Sequence, residues 1–485
     1  MYGSPAAQDG PQEDFLESVH TRTFTELLAK AGISLFITTY QAGKLIIVRE
    51  DQGKTNTHFR SFRKPMGLAV AQNRVVLGAR GQILDFRNVP TAADRLEPKG
   101  RHTACYVPRS SHITGDIDIH EMAIVGSDVV FVNTRFSCLC RINSEFSFEP
   151  IWRPPFVSAY DPRDRCHLNG LAVRDGQVRY VSALGTSDEP GGWRKNKTEG
   201  GIIMDVLEER VVRDRLSMPH SPRWYGGKLW YLESGKGAVV AFDPDTGEDA
   251  LRVTLPGFTR GIDFLGPYAF IGISQVRETA VFSDLEITRS QPVRESGVWV
   301  IDVRSGQTAA FLKFTGGVQE IFAVSVVNEA FPDIASENEN LAYSTFVIPD
   351  ELVKEVVAPE ADWKSTEDYF EAGNRALNGG KFDEAIAHYE QALAADGNYL
   401  PARYNLGLAY LKQGKLQDAK RVLEDVITRE AGHAEALNTL GSIALDEGER
   451  SIAAGYFEQA LAIRPNHVSA MRGLAKARPE GTQEP

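Results

Sequence analysis

Laid over itself at an offset of 34 residues, the stretch from about Ser365 onward aligns Gly373 with Gly407 and Gly441. The same offset aligns Gly380, Gly414 and Gly448, then Ala385, Ala419 and Ala453. Tyr389, Leu423 and Phe457 fall together, as do Ala392, Val426 and Ala460, and Pro465 closes the third copy. A period of this length, with apolar residues at helical spacing, calls for a helix, a Gly-containing turn and a second helix. Such units stack, because one alone cannot bury its apolar face. Gly or Ala stands where paired helices approach closely, and a large side chain fills the next layer. Three copies cover about 366–467, with a capping segment through about Arg478.

These columns resemble the tetratricopeptide repeat (TPR). The resemblance implies a concave groove that takes a peptide or protein partner. Asn374, Asn405 and Asn438, on the first helices, are the expected donors to the partner's backbone, although the interval from Asn405 to Asn438 is one residue off the 34-residue spacing. The alternative is an array that only stabilises or dimerises the chain.

The first 350 residues repeat less regularly. Between Ile33 and Pro349 short alternating strands are broken by Gly, Pro and Asp, and the only helical stretch expected is near Phe24 to Ala31. One phrase recurs: a small or polar residue, two apolar residues, a turn and a β-rich strand. It begins at Pro65, Ile119, Leu168, His220, Arg260 and Val318, with Gly67, Glu121, Gly170, Ser221, Gly261 and Glu320 as equivalent positions. Hairpins with Asp-Thr-Gly or Arg-Ser-Gly turns lie between the later phrases. Six units of about 40–60 residues and four strands each predict a six-bladed β-propeller. The sixth phrase has too little chain after it for a full sheet, so the strands of Ile33 to Asp51 are expected to complete it and remove two exposed edges.

Four phrases, TTYQAGKL from Thr38, DIDIHEMA from Asp116, RCHLNGLAV from Arg165 and MPHSPRW from Met218, resemble DUF4915, a bacterial family of unknown activity often joined to TPR modules. The resemblance covers about 22–345 and implies a propeller-like domain without an assigned reaction.

The residue before each equivalent position opens an innermost strand and faces one mouth of the channel. These residues are Met66, His120, Asn169, His220, Arg260 and Gln319, with His167 two residues before Asn169 on the same side. Three imidazoles held on separate blades suit a transition metal with an open position, with Cu, Fe, Zn and Mn all compatible. Glu121, Asp116, Asp118 and Gln319 are available as further ligands or as a general base. A metal-free ligand pocket and a purely structural ring are the alternatives. His120-Glu121-Met122 is not a zincin motif, because the second His at helical spacing is missing. Long inserts from Gly185 to Gly201 and from Gln275 to Gly297 bring Trp193, Arg194 and Arg277 toward Arg260, which implies a substrate with an anionic group. Cys138 and Cys140 are read as core, with a minor redox role as the lesser possibility.

The 53 Lys and Arg against 65 Asp and Glu give a formal charge of −12, and no basic run is present, so no nucleic-acid partner is expected. No stretch approaches the roughly 20 apolar residues of a membrane span, so no membrane insertion is expected. With a polar N-terminus and 4 cysteines, the expected location is cytoplasmic. The expected organisation is a flexible tail (1–21), a propeller (22–349), a linker (350–364), three TPR repeats with a capping helix (365–478) and a disordered tail (479–485). Two functions are consistent with this. One is a metal-dependent enzyme of lyase or oxidative type, with catalytic Glu121, Arg260 and Gln319, metal ligands His120, His167 and His220, and substrate contacts from Asn169, Trp193, Arg194 and Arg277. The other is a non-catalytic scaffold that docks proteins on both modules.

Overall fold

The computed structural model describes residues 17–276, 284–291, 293–336, 339–353 and 365–478. The chain divides into two compact units, Met1–Val347 and Ile348–Pro485.

The first unit is a ring of six antiparallel sheets, each beginning at one of the repeated phrases. From the axis outward, blade 2 runs Leu68–Ala71, Arg74–Ala79, Gln82–Asn88 and Ala104–Ile113. Blade 3 runs Ile119–Val125, Asp128–Asn133, Cys138–Arg141 and Glu149–Trp152, and blade 4 Leu168–Arg174, Gln177–Ala183, Gly201–Asp205 and Arg210–Leu216. Blade 5 runs Pro219–Tyr225, Lys228–Glu233, Ala238–Phe242 and Asp249–Thr254, and blade 6 Phe258–Leu265, Tyr268–Ser274, Gly297–Asp302 and Thr308–Phe314. Blade 1 closes the ring as its strand count requires. Its inner strand, Ala323–Val327, comes from the far end and pairs with Ser34–Thr39, followed by Lys44–Asp51 and Lys54–Ser61.

Strands of alternating large apolar residues are buried on both faces, and one apolar cluster fills each gap between blades. Val75 packs toward blade 1 and its neighbour Val76 toward blade 3. Val181 and Tyr180 do the same on either side of blade 4, and Leu229 and Trp230 on either side of blade 5. Cys138 and Cys140 belong to the cluster between blades 2 and 3, and all four cysteines are free and buried.

Hydroxyls at the ends of the second strands bolt every blade except blade 2 to the next. Thr38 Oγ1 donates to Met66 O at 2.7 Å, Thr134 Oγ1 to Leu168 O at 2.7 Å, and Ser234 Oγ to Thr259 O at 2.5 Å. Ser182 acts through Asn169, and Ser274 Oγ exchanges bonds with Ile321 of blade 1.

Several features depart from the sequence reading. Ser18–His20, assigned to the flexible tail, forms an edge strand on Thr308–Phe314, and Pro332–Ile334 adds a parallel strand to blade 2. Besides the helix Arg22–Ala31, short helices occur at Pro90–Ala93, Glu286–Ser290 and Asn340–Tyr343, with a 3₁₀ turn at Gly192–Asn196. A single turn needs no amphipathic period, so it leaves little trace in a sequence. The remainder of both terminal tails lies outside the described residues, as does 354–364 of the linker, which begins with a short helix Asp350–Val353.

The second unit is a stack of antiparallel helix pairs: Thr366–Asn378 with Phe382–Ala395, Leu400–Lys412 with Leu416–Arg429, Ala434–Asp446 with Arg450–Ile463, then Val468–Ala477. A capping box between Ser365 and Asp368 opens it. A Cβ on Gly373 would lie 2.5 Å from the ring of Tyr389, which explains why the repeat keeps Gly opposite a large residue. Among the described residues no helix is long and apolar enough to cross a membrane.

Candidate functional site at the propeller mouth

Blades 2 to 5 begin with the same local device. Lys64, Asp118, His167 and Met218 lie two residues before Met66, His120, Asn169 and His220, and all four adopt left-handed φ of 49–54°. Side chains other than Gly avoid this region, at a cost of about 1–2 kcal/mol each, and in folded proteins such strain gathers at functional sites. In blades 3 and 5 the turned backbone presents a carbonyl to the imidazole two residues on. His120 Nδ1 lies 3.0 Å from Asp118 O and 2.9 Å from Thr134 Oγ1. His220 Nδ1 lies 3.0 Å from Met218 O and 2.9 Å from Ser234 Oγ. Both hydroxyls already donate their hydrogen to the next blade. Each Nδ1 therefore meets only acceptors and must carry a hydrogen.

Burial pushes both imidazoles well below their ordinary range, reinforced at His120 by His167 and Arg260 and at His220 by Arg260 and His167. They are neutral, with Nε2 as a bare lone pair. At His167 the anchor is a carboxylate, since Nδ1 lies 2.8 Å from Asp164 Oδ2, which also accepts from Trp193 Nε1 at 2.9 Å. The three imidazoles thus have Nδ1 anchored, the arrangement in which second-shell partners orient metal-binding histidines.

The rings of His120 and His167 are 4.9 Å apart and nearly perpendicular. Two imidazoles sharing an ion through nitrogens at about 2.1 Å would have centroids about 5 Å apart. The ring of His220 rests on Phe258, with 5.7 Å between centroids. Among the described residues no three His, Cys, Asp or Glu groups converge as a ready-made metal cluster.

Phe322 stands between the histidines and Arg260, with its centroid 5.2 Å from His120 and 3.6 Å from Arg260 Cζ. Arg260 is half-buried, and its guanidinium forms no ion pair among the described residues. Burial pulls it down from its ordinary value, against the attraction of Tyr40 and Glu320. Glu320, two residues before Phe322, was read from sequence only as a marker of register, yet it is 8% exposed. Its Oε2 accepts from Gln41 N at 3.3 Å, while Oε1 is sealed without a partner. Burial pushes its carboxyl up to about 7, against Arg260. Tyr40, 5.7 Å from Phe322, completes this side. The signal for both residues lay in the TTYQAGKL phrase, whose chain end meets the sixth phrase at ring closure.

Other expected site residues have structural engagements. Glu121 is not a free base, because its Oε1 accepts from Arg223 Nη2 at 2.9 Å across the channel. Arg223 and Asp263 line a separate axial cavity of about 230 Å³ with Leu68, Met122 and Leu171. Asn169 is part of the scaffold rather than a substrate contact, since its amide takes Ser182 Oγ at 2.6 Å and gives to Pro219 O at 2.9 Å. Trp193 is buried behind His167, 4.5 Å between rings, and supports that imidazole instead of facing a ligand. Arg194 stacks on Trp193 at 4.3 Å and lies 3.8 Å from Asp164. Gln319 O accepts from Gln275 N at 2.9 Å. Asp118 pairs with Lys64 and Arg135, and Asp116 with Arg80. Arg277 lies outside the described residues. In the second unit, Asn374 Oδ1 accepts from Asn405 Nδ2 at 2.7 Å and Tyr389 OH at 2.8 Å, whereas Asn438 Oδ1 is buried without a partner.

The fold and this polar mouth define a class: a six-bladed β-propeller followed by a TPR array, itself a module for protein or peptide interaction. The chain belongs to the DUF4915 family, whose model, Domain of unknown function (DUF4915), matches residues 22–334. Two tetratricopeptide repeat models match 376–443 and 434–467. Among curated proteins none matches the chain. Among solved structures the chain is similar to the Arabidopsis OM64 TPR domain at 22% identity, covering 24% of this chain and 94% of that one, with a TM-score of 0.23. It is also similar to MamA, at 24% identity over 24% and 69% of the two chains with a TM-score of 0.24. A third is the first TPR of Spaghetti (RPAP3) bound to an HSP90 peptide, at 24% identity over 23% and 92% with a TM-score of 0.23.

Proposed function

We propose that the propeller mouth is an enzyme site in which His120, His167 and His220 hold a transition-metal ion through Nε2. In this reading Arg260 binds the anionic group of the substrate, and the TPR array recruits the polypeptide that carries or delivers it. The observation that carries the reading is the anchoring of Nδ1 in all three imidazoles, with Nε2 of His120 and His220 left as bare lone pairs. The His120–His167 separation of 4.9 Å is compatible with a shared ion. When bound, Cu, Fe, Zn or Mn would supply Lewis-acid or redox chemistry. The chain's own part is positional. Thr134 and Ser234 fix two imidazoles, Asp164 and Trp193 fix the third, and Phe322 holds Arg260 in place for charge-assisted bonds to carboxylate, sulfate or phosphate.

The test is elemental analysis of the full-length protein as purified and after incubation with Zn²⁺, Cu²⁺, Fe²⁺ or Mn²⁺. The expected result is one ion per chain, lost in a folded His120→Ala/His220→Ala variant. A wild-type protein that takes up none of the four ions overturns the metal reading. A second reading is a non-catalytic adaptor with a docking face on each module, and the tetratricopeptide repeats at 376–467 support its protein-binding side. Metal-free protein that still captures a peptide through residues 365–478 would support it.

A further inference from the structure

Arg260 and Glu320 are the opposed charges of the mouth, yet they form no ion pair with each other. Arg260 rests on the Phe322 ring, and Glu320 lies two residues before that ring with Oε1 buried and unpartnered. The guanidinium acts on Glu320 through space and favours its charged form. An anion seated on Arg260 would offset that field and add its own repulsion. A carboxylate so enclosed can respond only by taking a proton.

We propose that Glu320 is the proton-exchanging group of the mouth, taking up one proton from solvent as an anionic substrate settles on Arg260. The inference rests on the reading of Arg260 as the anion site, but it does not need the metal. In the reaction, the carboxyl formed in this way is a proton donor beside the bound anion, and it returns to carboxylate when that proton is transferred. Beside Glu320 stand Arg260 on blade 6 and Tyr40 beyond the second strand of blade 1, and the further ionisable groups acting on Arg260 or on its neighbours are Asp118, His120 and Glu121 on blade 3, His167 on blade 4 and His220 on blade 5. Arg260 stays charged, and burial holds His120 and His220 neutral well below the range where Glu320 titrates. The linkage is therefore assigned to Glu320, with His167 as the control.

The experiment is calorimetric titration of the full-length protein with sulfate, which carries no proton of its own in the neutral range, in buffers of differing ionisation enthalpy. Wild type is expected to take up between about half and one proton per sulfate near pH 7.5, and its affinity to fall up to about tenfold per pH unit above that. Glu320→Gln should bind sulfate with no proton uptake and a flat pH profile. An infrared carboxyl band that appears with sulfate in wild type and is missing in the variant supports the same assignment independently of stability. Binding without proton uptake, or uptake unchanged in Glu320→Gln and abolished in His167→Gln, overturns the inference while leaving Arg260 as the anion site. Failure of sulfate to bind wild type, or equal binding by Arg260→Met, removes the anion reading and this inference with it.

Discussion

Replacing Glu320 by Gln isolates the energetic consequence of a carboxyl sealed in the mouth. The side chain keeps its shape and loses its ability to ionise. Its carboxyl titrates at about 7 in the fold, against about 4.3 in an unfolded chain. A group raised in this way contributes stability that is complete below its unfolded value and is lost as pH rises through about 7. That displacement corresponds to about 4 kcal/mol, of which about 2–3 kcal/mol falls between about pH 5 and about pH 8.5. The variant lacks this loss, so its stability relative to wild type should rise by that amount across the interval. Denaturant unfolding followed by tryptophan fluorescence reads chiefly the correct unit, because five of the six tryptophans, Trp152, Trp193, Trp224, Trp230 and Trp299, lie in the propeller, and the sixth, Trp363, precedes the helical repeats. A difference independent of pH, or a variant that weakens as pH rises, would refute the reasoning. The field of Arg260 would then outweigh burial.

Asp333 holds the added edge strand of blade 2 and takes Arg60 at 3.1 and 2.9 Å, with His58 at 3.6 Å and His102 at 3.7 Å. Asp333→Ala leaves Arg60 half-compensated by Glu339 and should cost about 3 kcal/mol by the same fluorescence assay. Against burial, Arg60 and His58 hold the Asp333 carboxyl below its ordinary value, and burial pushes His58 and His102 down against Asp333. The carboxylate's contribution is lost only below about pH 4, whereas removing Asp333 lets burial depress both imidazoles further, so the variant should lose more stability than wild type between about pH 6.5 and about pH 4, and wild type more below about pH 4. In the helical array, Gly441→Val places a Cβ 2.8 Å from the buried Phe457 ring and should lower the helical melting transition by about 1–3 kcal/mol, leaving the tryptophan transition unchanged. Gly455→Ala, with open space around its Cβ, should instead be neutral or stabilising by up to about 1 kcal/mol, and a loss comparable to Gly441→Val would contradict the packing argument.

The inner strands were legible because crowding near the axis restricts residue type. A Cβ on Gly67 would lie 2.8 Å from Met122 and one on Gly170 2.4 Å from Pro222, while Gly261 has φ of 77°. Ring closure followed from counting strands, and the helical array from a Gly that faces a ring in each copy. The way polar capacity is used was not legible. Glu121 and Asn169 stand where the repeat predicts, but their partners Arg223, Ser182 and Pro219 belong to other strands and other blades. The hydroxyl at the end of the second strand, present in every blade except blade 2, is visible in the sequence, whereas the carbonyl that it reaches in the following blade is not. Glu320 shows the same limit most strongly, because Gln41, whose backbone donates to it, is 279 residues away in the chain.

Pairing of the first and last propeller strands also dictates when the mouth can exist. Thr38 Oγ1 receives Ala323 N, a contact spanning 285 residues. During synthesis the apolar strand Ser34–Thr39 must wait for the whole ring before its partner emerges, a long interval of exposure to misassembly. Tyr40 and Gln41 meet Glu320 and Phe322 only at that last step. A chain truncated before residue 320 would carry all three histidines and Arg260 but only part of the wall around them, so assembly of the site reports on completion of the domain.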